Sequence, residues 1–292
     1  MSSRRYGDPL PLGEPGGLPY SKGLMARALV AAGLAIEPAY LLASHLELDL
    51  AERDARSVSL ERLEEVAAAV LGEEEGPAAV ARLRRFAAVQ SLDVPIVLLV
   101  GGATGTGKSS VATEVAHRLG ITRVTSTDFI RETMRAFFSP RSMPSVHHSS
   151  FAGDPTIEAF LSQTRNVMVG VEAAIERALT EGWSMVLEGV HLVPGLVPTQ
   201  IEGAIVVHAM LAIESERVHA TNFRVRDAVT GGTRAMDRYL ERLGDIRLIQ
   251  GFLVERAERL GVPVIEGSSA ERASAAVLEL VLSSADRIEV RA

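Results

Sequence analysis

The chain has 292 residues, 47% of them apolar, with 30 Lys and Arg against 37 Asp and Glu for a formal charge of -7. That apolar share predicts a substantial buried core, and the acidic balance gives no general case for nucleic acid as a partner. Having no cysteine excludes disulfides, thiolate nucleophiles and Cys-based metal sites. No apolar run approaches a bilayer span and no apolar signal core follows the first arginines, so a cytoplasmic protein with no membrane partner is expected.

Residues 1–19 mix Gly and Pro with other residues without a period and read as an irregular lead-in. Apolar spacing predicts helices at 22–32 and 37–50, separated by Gly33. A third pattern, SLERLEEVAAAVLG, places Ser59 at the N-cap, with Arg62 where a capping box would have Glu or Gln. EEEGPAAVARLRRFAAVQSL reads as a turn and a fourth helix, so residues 1–92 are expected to form a small helical domain.

From Ile96 the rhythm changes to short apolar strands alternating with longer helical segments. Strands are predicted at 96–100, 123–127, 184–189, 203–211 and 263–267. Helices are predicted at 108–119, 129–137, 157–180, 214–219, 234–260 and 270–283. Residues 93–292 are therefore expected to form an α/β domain, a three-layer α/β/α core with a mostly parallel sheet and ligands at the C-terminal strand edge.

The first of these strands runs into GGATGTGKSS. Gly102, Ala103, Thr104, Gly105, Thr106, Gly107, Lys108 and Ser109 satisfy the G-x-x-x-x-G-K-[ST] rule in the strand-loop-helix setting it requires, and Ser110 extends it. Glycines let successive N–H groups and the helix N-terminus face phosphates. Lys108 is expected at the β and γ phosphates of ATP, and the Ser109 hydroxyl on Mg²⁺. The motif specifies a donor but no acceptor and no base preference.

Acceptor candidates lie at the other strand ends. In STDFIRETMR, Asp128 is open to three roles: helix N-cap, ligand to a water of Mg²⁺, or base for a hydroxyl proton. Arg131 and Arg135 stand at i,i+4 and could clamp an anion, or form an exposed face beside Glu132. The expected loop SVHHSSFAGD offers His147, His148, Ser149 and Ser150 as donors to an oxygen-rich anion; two adjacent histidines alone make no metal site. In EGVHLVPG, Glu188 ends an apolar strand where a carboxylate can serve Mg²⁺ or its water, and His191 is a substrate contact or a packing residue. Farther on, Arg224 and Arg226 precede Gly231 and Gly232 and are candidates to close over the phosphates.

These blocks together, GGATGTGKSSVA, STDFIRETMR, HHSSF, EGVHLVPG, HATNFRVR and RYLERLGDIRLIQGFLVERA, resemble the P-loop 2-phosphoglycerate kinases over most of residues 92–270. The resemblance implies phosphorylation of 2-phosphoglycerate by ATP to 2,3-bisphosphoglycerate. The stretch LPYSKGLMARALVAAGLAIEPAYLLASHLELDL resembles the start of an ATP-cone regulatory module, which implies phosphate contacts at Lys22 and Arg27. Two other readings remain open: a kinase for another small phosphorylated or carboxylated alcohol, and a nucleotide-gated regulatory protein. The sequence sets no oligomeric state.

Overall fold

The computed structural model describes residues 20–92, 94–229 and 236–289, excluding the side chains of 91, 226–229, 236 and 285–289. Its described residues divide into two compact units, one holding those up to 92 with 118–120 and those from 282 onward, the other 94–117 and 121–281.

The first unit begins with four helices, α1 (Lys22–Ala31), α2 (Ile36–Glu52), α3 (Leu60–Leu71) and α4 (Glu75–Ser91). Ser59 caps α3 as its sequence position predicts, its Oγ accepting from the Arg62 N–H at 3.2 Å. Met25, Leu29, Leu42, Leu46, Leu63 and Leu83 are fully buried, which is why the apolar spacing read as helical.

The second unit is built on a five-stranded sheet in the order β2-β3-β1-β4-β5, with β1 (Ile96–Gly102), β2 (Val124–Ser126), β3 (Met185–Gly189), β4 (Ile205–Ala212) and β5 (Val264–Glu266). Every pairing is parallel. The crossover from β1 to β2 carries α5 (Lys108–Arg118), that from β2 to β3 carries α6 (Thr127–Phe137) and α7 (Thr156–Thr180), and β3 passes to β4 without a helix. The crossover from β4 to β5 carries α8 (Glu216–Val229), α9 (Met236–Glu241) and α10 (Leu243–Arg259), and α11 (Ala270–Glu289) follows β5. The central strand β1 is buried along its whole length, which explains the uninterrupted apolar run IVLLV. One core group joins Val97, Leu99 and Leu187 of the sheet to Val167, Val171 and Ile175 of α7. A second, past the C-terminal strand ends, gathers Phe151, Phe160, Val190, Phe223, Ile246 and Ile249.

The structure corrects three local expectations. The helix expected at 214–219 is α8, which runs on to Val229. Of the helix expected at 234–260, residues 234 and 235 lie outside the described residues and the rest forms two helices, α9 and α10, parted at Arg242, whose backbone (φ -109, ψ 17) leaves the helical region. The expected loop at 145–154 opens within a 3₁₀ turn, Pro144–His147. No helix among the described residues is long and apolar enough to cross a membrane.

Candidate functional site

Central β1 has β2 and β3 on one side and β4 and β5 on the other, so the loop leaving it lies where the chain changes direction across the sheet. That is where open α/β sheets bind ligands. Parallel register sets Val100 beside Glu188 and Gly101 beside Gly189, so the start of the phosphate loop and the β3 carboxylate come level.

Within the loop, Lys108 opens α5 and is buried, its Nζ donating to the Ala103 carbonyl at 2.6 Å. Thr106 Oγ1 donates to the same carbonyl at 3.0 Å. Burial holds the Lys108 ammonium below the ordinary lysine value, while the charges of Glu188 and Asp128 act in the opposite sense. Ser109 Oγ donates to Glu188 Oε1 at 2.9 Å. This pairs a hydroxyl with a carboxylate at the mouth of the phosphate loop, an oxygen donor set that suits a hard divalent cation retaining several waters. Ser110, next on the helix, is exposed.

The loop is held from above by α8. His219 Nε2 donates to the Thr104 carbonyl at 2.7 Å and Asn222 Nδ2 to the Gly105 carbonyl at 3.0 Å. Gly105 has φ +88, and a Cβ there would lie 2.5 Å from Phe223 Cζ, so only glycine fits. Burial lowers the His219 pKa, while its bond to the Thr104 carbonyl acts in the opposite sense. His219, Asn222 and Phe223 stand at i, i+3 and i+4, a spacing visible in HATNF, but ending the expected helix at His219 concealed their common face.

On the acceptor side, Ser126 is the N-cap of α6, its Oγ accepting from Phe129 N at 3.0 Å. Asp128 therefore lies in the first turn instead of capping it, with a side chain 65% exposed. The free clamp expected of Arg131 and Arg135 is not present. Arg131 is buried, with Nε donating to Asp128 Oδ1 at 2.9 Å, Nη1 to the Val146 carbonyl at 2.6 Å and Nη2 to Glu132. Arg135 turns to the same Glu132, at 3.2 Å. A carboxylate one residue from Arg131 and three from Arg135 satisfies both guanidiniums within the helix surface.

His191 is likewise corrected as a substrate contact. Its Nδ1 meets Thr127 Oγ1 at 2.9 Å and its Nε2 meets Gln163 Oε1 at 2.8 Å, leaving neither ring nitrogen for a ligand. Gln163 in turn donates to the carbonyls of Ser145 and His148, at 2.6 and 2.9 Å. Thr127 presses on the β3 end, where a Cβ at Gly189 (φ +153) would fall 1.9 Å from its Oγ1. His191 thus ties the turn after Glu188, the start of α6 and the loop at 145–148 into one buried polar cluster. Thr127 and Gln163 gave no signal in the sequence: Thr127 was expected to end a strand at 123–127, whereas the structure makes it the first residue of α6, and Gln163 was an ordinary residue of the helix expected at 157–180.

His147 directs Nε2 to the Phe138 carbonyl at 2.9 Å. His148 is exposed, Ser149 Oγ accepts from Arg238 Nη2 at 2.6 Å, and Ser150 lies with Ala103, Thr104, Phe151 and Val190 around a narrow indentation. The serine end of this loop therefore adjoins the phosphate loop. Arg224 is exposed on α8; the backbone of Arg226 belongs to the same helix, and its side chain, like Gly231 and Gly232, lies outside the described residues.

The chain matches no protein-family model. It is 36% identical over 259 residues to the 2-phosphoglycerate kinase of Methanopyrus kandleri, covering 85% of this chain and 79% of that protein. With the 2-phosphoglycerate kinase of Pyrococcus furiosus it shares 32% identity over 275 residues, 91% of this chain and 90% of the other. Among solved structures, a gluconokinase from Sinorhizobium meliloti matches 68% of this chain and 95% of its own at 15% identity, with a TM-score of 0.34.

Proposed function

The chain belongs to the 2-phosphoglycerate kinase family, and from that premise we propose that it transfers the γ-phosphoryl group of ATP to the 3-hydroxyl of 2-phosphoglycerate. The products are ADP and 2,3-bisphosphoglycerate. The observation that carries the reading is the Ser109–Glu188 hydrogen bond, which assembles a metal-ready hydroxyl and carboxylate beside Lys108 at the end of the central strand.

In this reading the backbone of residues 102–107 and the N-terminus of α5 cradle the phosphates, and Lys108 exchanges the Ala103 carbonyl for a phosphate oxygen. Ser109 and Glu188, the latter through water, would hold Mg²⁺, which neutralises charge on the β and γ phosphates. As the acceptor oxygen bonds to γ-phosphorus and the bond to the β–γ bridging oxygen breaks, Asp128 orients the hydroxyl and takes its proton. His148, Ser149 and Ser150 bind the acceptor, and Arg131 and Arg135 act by holding Asp128 and Glu132 in place. Arg224 and Arg226 remain candidates to stabilise the transferring group from α8.

We take residues 1–92 as a regulatory ATP-cone-like module, with Lys22 and Arg27 toward phosphate, and 93–292 as a kinase domain acting in the cytoplasm. Lys22 pairs with Glu47 at 2.9 Å, an exposed ion pair weak enough to yield to a polyanion. The test of the main reading incubates the protein with Mg-ATP and a panel of phosphoglycerates and hydroxy acids and follows products by mass. Preferential conversion of 2-phosphoglycerate, lost in Lys108→Ala, is expected. Equal or better turnover of another acceptor would sink the assignment.

A further inference from the structure

We propose that Arg238 is a specificity-determining residue, binding the anionic group of the acceptor, and that an aromatic column resting on the phosphate loop holds it there. The inference rests on the kinase reading above.

A small acceptor carrying phosphate and carboxylate needs a cation, and the arginines the sequence offers for that purpose are engaged. Arg131 has all three of its nitrogens bonded inside the protein, and Arg135 is paired with Glu132. Arg238 differs. It is exposed on α9, pairs with no carboxylate among the described residues, and directs Nη2 to the hydroxyl of Ser149 at 2.6 Å. A neutral hydroxyl holds a guanidinium far less strongly than a phosphate or carboxylate, whose two oxygens match its fork. Arg238 therefore reaches the serine loop with donors that an anion bound beside Ser149 and Ser150 would take.

Its position is not left to a flexible surface helix. Tyr239, the next residue, stacks on Phe223 at 5.1 Å with the rings 4° from parallel, and lies 5.8 Å from Phe151. Phe223 stacks in turn on His219 at 5.5 Å, and His219 and Asn222 bond the carbonyls of Thr104 and Gly105. The column thus begins on the donor loop, passes through α8 and α9, and ends at Phe151, one residue from Ser150. Arg238 is placed by the same contacts that shape the donor site, with a cation over the acceptor when the phosphate loop is correctly formed.

Steady-state kinetics of the full chain test this. Arg238→Met is expected to raise KM for 2-phosphoglycerate about ten- to a hundredfold while KM for ATP stays within about twofold, as loss of a charge-assisted bond to one substrate requires. Arg238→Lys should recover part of the loss, since charge remains without the fork. Tyr239→Leu, which removes the ring stacked on Phe223, should raise the same KM. If Arg238→Met leaves the acceptor KM unchanged, or raises both KM values alike together with a lowered Tm, the assignment is overturned while wild-type turnover still upholds the kinase reading. A wild type inert toward 2-phosphoglycerate brings down both.

Discussion

Replacing His191 by leucine tests how the site is held together. His191 is 1% exposed. Because Gln163 directs its amide N–H groups to Ser145 and His148, its Oε1 accepts from His191 Nε2, and His191 Nδ1 then accepts from the Thr127 hydroxyl. Leucine fills much of the space but strands two buried polar groups at about 1–3 kcal/mol each, so a loss of about 3–4 kcal/mol is expected near neutral pH.

The loss also depends on pH, and its sign follows from the ring's environment. Burial pushes the His191 pKa down to about 3, with Asp128 acting against the shift and Arg131 and Lys108 reinforcing it. Above the unfolded value near pH 6.5 the ring is neutral in both states and the wild type is fully stable. As pH falls from there toward about 3, the unfolded chain takes up a proton that the folded one refuses, and stability falls by about 1.4 kcal/mol per unit. At pH 5 that amounts to about 2 kcal/mol, which the leucine variant does not lose. Trp183 is the only tryptophan and lies in the same unit as His191, so urea unfolding followed by its fluorescence reports the relevant unit. The gap between wild type and variant should shrink from about 3–4 kcal/mol at pH 7.5 to about 1–2 at pH 5. A gap equal at both pH values would refute the placement of His191 as a buried neutral ring.

Glu188→Gln keeps an oxygen for the Ser109 hydroxyl, so Tm should hold, while kcat falls about a hundredfold and the Mg²⁺ concentration for half-maximal rate rises; a Mg²⁺ titration of initial rates decides it. Gly105→Ala adds a Cβ 2.5 Å from Phe223 Cζ and 3.0 Å from His219 Nε2 at φ +88. It should destabilise the protein by about 1–3 kcal/mol and raise KM for ATP, checked by calorimetry and ATP titration; an unaltered KM would mean that α8 does not shape the phosphate loop.

The fold was largely readable because its signals are local. Each of the five strands lies within a few residues of its apolar run, and strand β1 with its glycine loop and Lys108 is one contiguous stretch. The interruption at Arg242 was not readable, since an α10 that starts anew at Leu243 continues the same helical composition. The acceptor side was misread for a related reason. An i,i+4 arginine pair looks like a clamp until Val146, 15 residues away, and neighbouring Glu132 are seen to occupy it.

The candidate phosphate loop is legible in the chain alone, because a glycine-rich turn followed by a lysine and a serine at fixed offsets is encoded by short-range spacing. Tertiary structure alone decided which polar residues remain available to a second substrate. Ser109 meets Glu188 across 79 residues, His191 closes on Thr127 and Gln163, and Arg238 reaches Ser149 across 89. Hydrogen-bonding capacity is finite, so a side chain's role in binding depends on which distant groups the fold has already brought to it.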